Sequence, residues 1–330
     1  MKQLEYWQPA QVGLTLCATT GVAAVDQIIR GVIGLVELAF PARVRGYYIQ
    51  GGYADGSAVP ASDIDMQIVF KGQLGAEERA ACAAIIDCCR LLSSFMLDIV
   101  LESEADLLRV GAIRFQRGTL LVYGEDIRDA IPLKPLDSYV RDTMHGVYPL
   151  SARVRDNPAT LRFPLDYPDP EDIFYGYTKR QLRTIDGTLI QGTKDLVATT
   201  TMIASALVGL LAGQYTVAKQ DSVAQYRRWV NDEWTALLED SMHYCRGQWG
   251  YQVPDQAEDR ARLRDLCARS LAFENYFYEI YRTYLLSELR HGDLGPVRAA
   301  DRRLSRLRYA DAEVQAALSE AAGRYPIELA

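Results

Sequence analysis

Apolar and polar positions along the first 130 residues follow two different periods. Two stretches carry apolar side chains at helical spacing and predict helices, and these are 20–40 and 77–92. Four other stretches favour β-strands by alternation or by composition, and these are 44–50, 63–70, 95–102 and 119–123. Helices interspersed with strands predict a mixed α/β domain in this part of the chain.

The alternation also predicts which side chains share a face of the sheet. In 63–70, Asp63, Asp65 and Gln67 alternate with apolar residues, so these three polar side chains lie on one face. In 95–102, Asp98 and Glu102 alternate with apolar residues in the same way. If the two strands are neighbours, the aspartates of both converge.

The rest of the chain has a different pattern. The prolines between 132 and 170 predict a linker or an irregular segment. Beyond it, five stretches predict long helices in an up-and-down bundle, namely 171–192, 194–213, 222–247, 256–290 and 296–322. We therefore predict an α+β protein with a mixed-sheet domain over 1–150 and an α-helical bundle over 151–330.

Composition and charge narrow the classes of function. A chain of 330 residues with a net charge of −7 lacks the excess of basic residues that binding to a nucleic-acid backbone requires. The first residues lack the order of a signal peptide, and 194–213 is interpreted as a buried core helix, so we expect a cytoplasmic protein without a membrane span. The six cysteines and three histidines show no zinc-ligand spacing.

Candidate chemistry lies where the strands begin and end. Three carboxylates that face one another, from Asp63, Asp65 and Asp98, repel unless cations bind them, and two Mg²⁺ ions would compensate their charge. Gly51 and Gly52 follow a strand and lack the Cβ atom that would keep phosphate oxygens away from the backbone. A phosphate cradle beside metal-binding aspartates predicts phosphoryl or nucleotidyl transfer.

This segment resembles the signature of the DNA polymerase β-like nucleotidyltransferase superfamily. The signature is a glycine pair, a spacer, and Ser-Asp-x-Asp with an apolar residue after it, which matches Gly51–Gly52 and Ser62–Met66. The resemblance is closest to the aminoglycoside and minimal nucleotidyltransferases and covers about residues 44–130. It implies a polymerase-β-like N-terminal domain and a third carboxylate on a later strand, for which Asp98 is in position.

The resemblance also implies roles for single residues. Asp63, Asp65 and Asp98 would hold two Mg²⁺ ions that bridge the phosphates of ATP or another nucleoside triphosphate. Asp98 would also act as general base, with Glu102 as the alternative, and accept the proton of an attacking hydroxyl. Residues implied in nucleotide binding are Gly51, Gly52, Ser62, Lys219 and Lys194.

Two positions depart from the family pattern. Gly52 stands where a serine is usual, so one hydroxyl contact to the phosphates is lost. Asp55 stands where arginine is frequent, and we expect its carboxylate to face solvent or to pair with an arginine. Neither change removes a metal ligand.

Several acceptors fit this interpretation. The first is a small molecule with a hydroxyl group, for which the family resemblance and the negative charge favour a cationic aminoglycoside and hence a role in antibiotic resistance. Acidic and aromatic residues between Trp229 and Asp240 would suit such an acceptor, although a solvated helix face with two core tryptophans is the favoured interpretation. The alternatives are transfer to a protein or a tRNA, and a nucleotide-binding sensor without catalysis.

Overall fold

The computed structural model describes residues 14–184, 188–304 and 308–325, and these residues form two units. Unit 1 comprises the described residues up to Ala58, together with Asp63–Arg109 and Thr119–Ile131. Unit 2 comprises Val59–Ser62, Val110–Gly118 and the described residues from Pro132 onward. The architecture is α+β, as the sequence predicts, with a mixed sheet in unit 1 and mostly helices in unit 2.

The helices and strands between residues 14 and 131 agree closely with the sequence pattern. In chain order they are α1 (Ala23–Ala39), β1 (Val44–Gln50), α2 (Gly52–Asp55), β2 (Ile64–Phe70), α3 (Ala76–Leu92), β3 (Leu97–Ser103), α4 (Glu104–Val110), α5 (Ile113–Gly118) and β4 (Thr119–Gly124). The two long helices and the four strands lie within a few residues of their predicted bounds.

Unit 1 is built on a four-stranded sheet with the strand order β3-β2-β1-β4. β1 pairs antiparallel with both β2 and β4, whereas β2 and β3 run parallel and are joined through α3. A parallel pair needs such a crossover, because the chain must return to the same end of the sheet before the next strand begins. The carboxyl ends of β2 and β3 therefore lie at one edge and their starts at the opposite edge.

One face of this sheet is apolar and carries the core of unit 1. Side chains from every strand, such as Ile49, Met66 and Ile99, pack against the apolar stripes of α1 and α3. Both helices supply this stripe at helical spacing, with Ile29 and Ile86 as buried examples. The opposite face is left for the polar side chains of the same strands.

The second part of the chain contains the elements of unit 2 after Ile131. They are α6 (Leu136–Val154), β5 (Thr160–Arg162), β6 (Gln181–Arg183), β7 (Leu189–Gln191), α7 (Lys194–Ala212), α8 (Lys219–Trp229), α9 (Thr235–Asp240), α10 (Ala257–His291), α11 (Leu294–Leu304), β8 (Arg308–Ala310) and α12 (Ala312–Arg324). A π-helical turn, Ser241–Gln248, follows α9 directly.

α6 was not predicted from the sequence, because prolines near both of its ends suggested a linker. Pro135 is the N-cap of this helix and Pro149 lies within it. The N-cap precedes the positions whose N–H groups enter the helical ladder, so Pro135 costs no helical hydrogen bond. Tyr148 and Met144 are fully buried in the core of unit 2, which explains why the segment is helical.

Three predicted helices were wrong in extent, and one of them, predicted over 296–322, is divided into α11, β8 and α12. Over 171–192 the described residues form turns and two short strands, since Asp172 accepts hydrogen bonds from the backbone N–H groups of Phe174 and Gly176 and so replaces helical bonds. The helix predicted over 222–247 breaks after Trp229, and Asn231 has a φ of 49°.

α7 is long and apolar enough to span a membrane by length and composition, with a mean hydropathy of 1.7. Of its 18-residue window, 72% is buried inside unit 2, which agrees with the prediction of a core helix. It packs between α6 and α8. No other described helix has this length and composition.

Candidate functional site

The polar face of the unit 1 sheet carries one side chain from each strand at the same level. Asp65 of β2 is the register partner of Asp98 on β3 and of Gln50 on β1, and Gln50 is in turn the partner of Thr119 on β4. Register partners project from the same face of a sheet. We call Thr119, Gln50, Asp65 and Asp98 the polar row.

The register brings two of the three predicted aspartates together. Asp65 and Asp98 are side by side on neighbouring parallel strands, and Asp63 precedes Asp65 by two residues, which puts it on the same face. Asp63 and Asp65 are half-buried, and Asp98 is exposed. Asp63 lies near the buried ring of Tyr53, whose pKa is raised by burial and by the negative charge of Asp63.

Gly51 is shaped by its contact with Asp65. Its φ of 71° and ψ of −150° belong to a region of backbone conformation that only glycine adopts readily. A Cβ atom on Gly51 would lie 2.6 Å from Oδ2 of Asp65. Glycine at this position therefore lets the backbone between β1 and α2 lie directly against the carboxylate.

Gly52 is needed for a different reason. A Cβ atom here would lie 2.8 Å from Cα of Ala58 and 2.9 Å from its N atom, so the segment after α2 returns against the glycine. Any side chain at this position, serine included, would collide with that backbone. The departure from the Gly-Ser form of the family signature thus has a steric cause in this chain.

Asp55 faces solvent, which is one of the two arrangements that we expected from the sequence. Its Oδ1 atom accepts hydrogen bonds from the backbone N of Ser57 at 2.9 Å and from Oγ of Ser57 at 2.5 Å. The carboxylate stabilises the turn after α2 in this way. Among the contacts of the described residues, none pairs Asp55 with an arginine.

Ser62 has a structural role in the turn that leads to Asp63. Its Oγ accepts a hydrogen bond from the backbone N of Val59 at 2.9 Å, and its own backbone N donates to the carbonyl of Val59 at 2.8 Å. Its contact with a nucleotide stays a prediction.

Glu102 is distant from the aspartates although it shares their face. It is four residues from Asp98 along β3, which corresponds to about 13 Å at about 3.3 Å per residue. Its register partner is the buried Val69, and burial is the main cause of its raised pKa, with the negative Asp106 acting in the same direction. This position favours Asp98 over Glu102 as the group beside Asp65.

The donors suit Mg²⁺ in type. Carboxylate oxygens are the ligands that Mg²⁺ prefers, and it commonly takes one or two of them and completes its octahedron with substrate phosphates and water. Within the described ranges, no three His, Cys, Asp or Glu side chains are grouped closely enough to hold a metal ion by themselves. The register pair Asp65 and Asp98 fits a metal whose remaining ligands come from a nucleotide.

The two predicted lysines lie in unit 2. Lys194 is the first residue of α7, and its side chain is buried. Lys219 is the first residue of α8, and its Nζ lies 5.5 Å from the centroid of the Tyr251 ring. Arg246 approaches the same ring at 5.9 Å, and the carbonyl of Tyr251 accepts a hydrogen bond from the backbone N of Thr193.

Tyr251 therefore links the start of α7 with two cations, one on α8 and one on the π-helical turn. Sequence analysis missed Tyr251 and Arg246, since neither belongs to a motif. Separations of 5.5 and 5.9 Å are within the range of a cation–π attraction.

The acidic and aromatic segment after α8 is largely occupied by contacts within unit 2. Asp232 accepts hydrogen bonds from the hydroxyl of Tyr226 at 2.9 and 3.0 Å. Two further carboxylates pair with arginines: Glu239 with Arg227 and Asp240 with Arg269. Trp234 packs on Phe273, whereas Trp229 is 47% exposed. These contacts favour the packing interpretation over a cationic acceptor site.

The chain is similar to two solved structures. A proposed nucleotidyltransferase from Sulfolobus solfataricus is 24% identical over 31% of this chain and 86% of its own, with a TM-score of 0.22. Spectinomycin adenyltransferase AAD(9) from Enterococcus faecialis, solved with ATP and spectinomycin, is 12% identical over 75% of this chain and 99% of its own, with a TM-score of 0.42.

No protein-family model matches the chain, and no curated protein matches it. Because both TM-scores are low, we base the function on this chain's own residues.

Proposed function

We propose that this chain is a magnesium-dependent nucleotidyltransferase that moves a nucleoside monophosphate, AMP from ATP in the first instance, to a hydroxyl group of a small molecule. The observation that carries the proposal is the register pair of Asp65 and Asp98, with Gly51 held against the carboxylate of Asp65. Nucleotidyl transfer needs a phosphate-binding backbone next to carboxylates, and these three residues provide both.

Each residue has a distinct part in this proposal. Bound Mg²⁺ would neutralise charge on the triphosphate and on the departing pyrophosphate. Asp63 and Asp65 would hold the metal, with Asp98 completing one metal site, and Gly51 and Gly52 would allow phosphate oxygens to approach the backbone. Asp98 is exposed and accepts the proton of the attacking hydroxyl as that oxygen forms its bond to the α-phosphorus.

Unit 2 is proposed to contribute positive charge to nucleotide binding. Lys219 is partly exposed, and its Nζ lies 5.5 Å from the centroid of the Tyr251 ring. Lys194 is buried at the start of α7, and its part is the weaker of the two. Ser62 fixes the turn before Asp63 and is proposed to position that aspartate.

The acceptor is proposed to be a small molecule with a hydroxyl group. A net charge of −7 favours neutral or cationic acceptors over RNA, whose phosphates it repels. The pairing of Asp232, Glu239 and Asp240 within unit 2 gives no support to an acceptor site on that segment.

The test is transfer of label from nucleoside triphosphates radiolabelled at the α-phosphate. The protein is incubated with Mg²⁺ and with aminoglycosides or a cell extract, and the products are separated into small molecules, proteins and RNA. Wild type is compared with Asp63→Asn and with Asp87→Asn, a matched control on the exposed surface of α3.

Label on a small molecule that requires Asp63 and Mg²⁺, and that Asp87→Asn retains, supports the proposal. Label on protein or RNA would show that the acceptor is a macromolecule, and the proposal of nucleotidyl transfer would stand. Binding of Mg²⁺ and ATP without any transfer to the three fractions would favour a sensor and overturn the enzyme assignment.

A further inference from the structure

Two glutamines lie on the polar face of the sheet beside the aspartates, and neither has a role in the mechanism proposed above. Gln50 is the last residue of β1 and belongs to the polar row between Thr119 and Asp65. Gln67 follows Asp65 by two residues on β2, so it projects from the same face. Both side chains are half-buried.

The two amides are joined by a hydrogen bond. Nε2 of Gln67 donates to Oε1 of Gln50 at 2.5 Å. The register partner of Gln67 on β1 is Tyr48, two residues before Gln50, so the bond runs diagonally across the strand pair. An amide has one acceptor oxygen and two donor hydrogens, and the Gln67 bond fixes which side of the Gln50 amide carries the oxygen.

Gln50 lies next to the proposed phosphate cradle, so its amide N–H groups are candidates to donate to a bound nucleotide. It immediately precedes Gly51, the start of the proposed phosphate cradle, and its register partner is Asp65. With Oε1 turned to Gln67, the N–H donors lie on the opposite side of the same amide.

A neutral amide suits this place better than a cation would. A lysine or arginine next to Asp65 would form an ion pair with the carboxylate and compete with the metal for it. An amide has no charge at any ordinary pH, so it can donate to a phosphate oxygen without forming an ion pair with the carboxylate.

We propose that Gln50 donates a hydrogen bond to a non-bridging oxygen of the α-phosphate, and that Gln67 is a positioning residue that orients the Gln50 amide. This inference rests on the proposed function, since it needs a nucleotide at the cradle. It assigns the α-phosphate because that is the group that lies between the phosphate cradle and the carboxylates when the α-phosphorus is attacked.

The test is equilibrium binding of ATP with Mg²⁺ by calorimetry, without acceptor, to wild type and five variants. Gln50→Met and Gln67→Met keep side-chain length and remove the amide, and the double variant combines them. Gln27→Met is the matched control, because Gln27 is exposed on α1. Gln50→Glu replaces the donors by a charge and serves as the second variant if Gln50→Met fails to fold. Thermal unfolding confirms that each variant is folded.

We expect Gln50→Met to weaken ATP binding about tenfold or more, since a hydrogen bond to a charged group is lost. Gln67→Met should weaken binding a few-fold, and the double variant should match Gln50→Met alone because Gln67 acts through Gln50. Gln50→Glu should bind more weakly than Gln50→Met, and Gln27→Met should bind like wild type.

The two diastereomers of ATP with sulfur on the α-phosphate identify the contact. Sulfur accepts a hydrogen bond poorly, so the penalty of Gln50→Met should persist for one diastereomer and vanish for the other. An equal penalty for both would show a general structural effect and overturn the contact.

The remaining outcomes separate this inference from the proposed function. Wild-type binding with unchanged affinity in the glutamine variants would overturn the inference alone. Additive penalties from Gln50→Met and Gln67→Met would overturn the positioning role of Gln67. Failure of wild type to bind ATP with Mg²⁺ would overturn the proposed function, and the inference with it.

Discussion

Oδ2 of Asp65 lies 2.6 Å from the place that a Cβ atom on Gly51 would occupy. The closest approach of backbone to carboxylate in the candidate site therefore depends on one missing methyl group. Gly51 also has a φ of 71°, which strains any other residue. The contact with Asp65 and the positive φ both disfavour any residue with a side chain at this position.

Gly51→Ala should consequently lower stability by about 1–3 kcal/mol and abolish nucleotidyl transfer. The matched control is Gly21→Ala: Gly21 has a φ of 79° but nothing within 4 Å of the added Cβ, so only the backbone cost applies. Thermal unfolding and the label-transfer assay measure both effects. Full activity of Gly51→Ala would show that the contact with Asp65 has no role in transfer.

Asp98→Asn should reduce the rate of transfer by about a hundredfold or more, because the amide cannot accept the proton of the hydroxyl. Affinity for ATP in the absence of acceptor should change less. Asp98 is exposed, so the variant should unfold at the same temperature as wild type. Glu102→Gln is the comparison. A larger loss of transfer rate in Glu102→Gln than in Asp98→Asn would show that Glu102, and not Asp98, is the general base.

Lys219→Met should raise the KM for ATP about tenfold and leave the KM for the acceptor unchanged, since the charge proposed to bind the phosphates is removed. Its stability should fall only slightly, by about 0.5–1 kcal/mol, with the loss of the contact to Tyr251. Lys179→Met is the control in the same unit, because Lys179 pairs with Asp156 and Asp169 on the surface. Equal kinetic effects of the two substitutions would remove Lys219 from the site.

The six thiols should divide by burial when the native protein reacts with Ellman's reagent at pH 8. Cys17 and Cys88 are exposed and should react quickly. The four buried thiols should react only after unfolding, and burial raises the pKa of Cys82 to about 11 and of Cys245 to about 12. Cys88→Ser should remove one fast thiol. Four or more fast thiols would contradict the burial of these residues.

Asp311 should make unfolding of unit 2 sensitive to acid. A hydrogen bond from Arg282 lowers its pKa, and its Oδ1 also accepts from the backbone N of Val314 at the start of α12. A lowered pKa means that the stabilisation is present above the unfolded pKa of about 3.9 and is lost as the pH falls through the folded value.

Asp311→Asn keeps an N-cap acceptor and removes the charge, so it isolates the ion pair. Because Arg282 is 37% exposed, we expect a cost of only about 1 kcal/mol near neutral pH. This difference from wild type should shrink below about pH 4. Denaturant unfolding at several pH values measures it, and a difference that does not depend on pH would rule out the charge as its cause.

The sequence predicts unit 1 better than unit 2 for a physical reason. Alternation around β2 placed Asp63, Asp65 and Gln67 on one face, because side chains of a strand point to opposite faces with a period of two residues. The register of Asp65 with Asp98 could not be predicted in this way, since parallel pairing is set by packing between residues far apart in the chain. Gln50 entered the polar row only through its own register with Asp65 on the antiparallel neighbour strand.

In unit 2 local side-chain contacts overrode the helical pattern. Asp172 binds backbone N–H groups and forms a turn, and the stretch around it lost its predicted helix. α6 shows the opposite error, because Pro135 at the N-cap looks like a break in the sequence and is compatible with the helix in the structure. Tyr251 carries no sequence signal, since its neighbours come from three separate segments.

Four residues between the glycine pair and the aspartates, Val59–Ser62, group with unit 2, and so do Val110–Gly118. The sequence placed a single boundary at 150, whereas α6 runs across that residue and the units change over at Ile131 and also at these two inserted segments. Ala61 and Ile113 belong to the core of unit 2. During synthesis these segments leave the ribosome long before the helices they pack with. The stretch that leads directly into Asp63 thus acquires its final surroundings only when the last-made part of the protein has folded, and no single cut of the gene separates the two units intact.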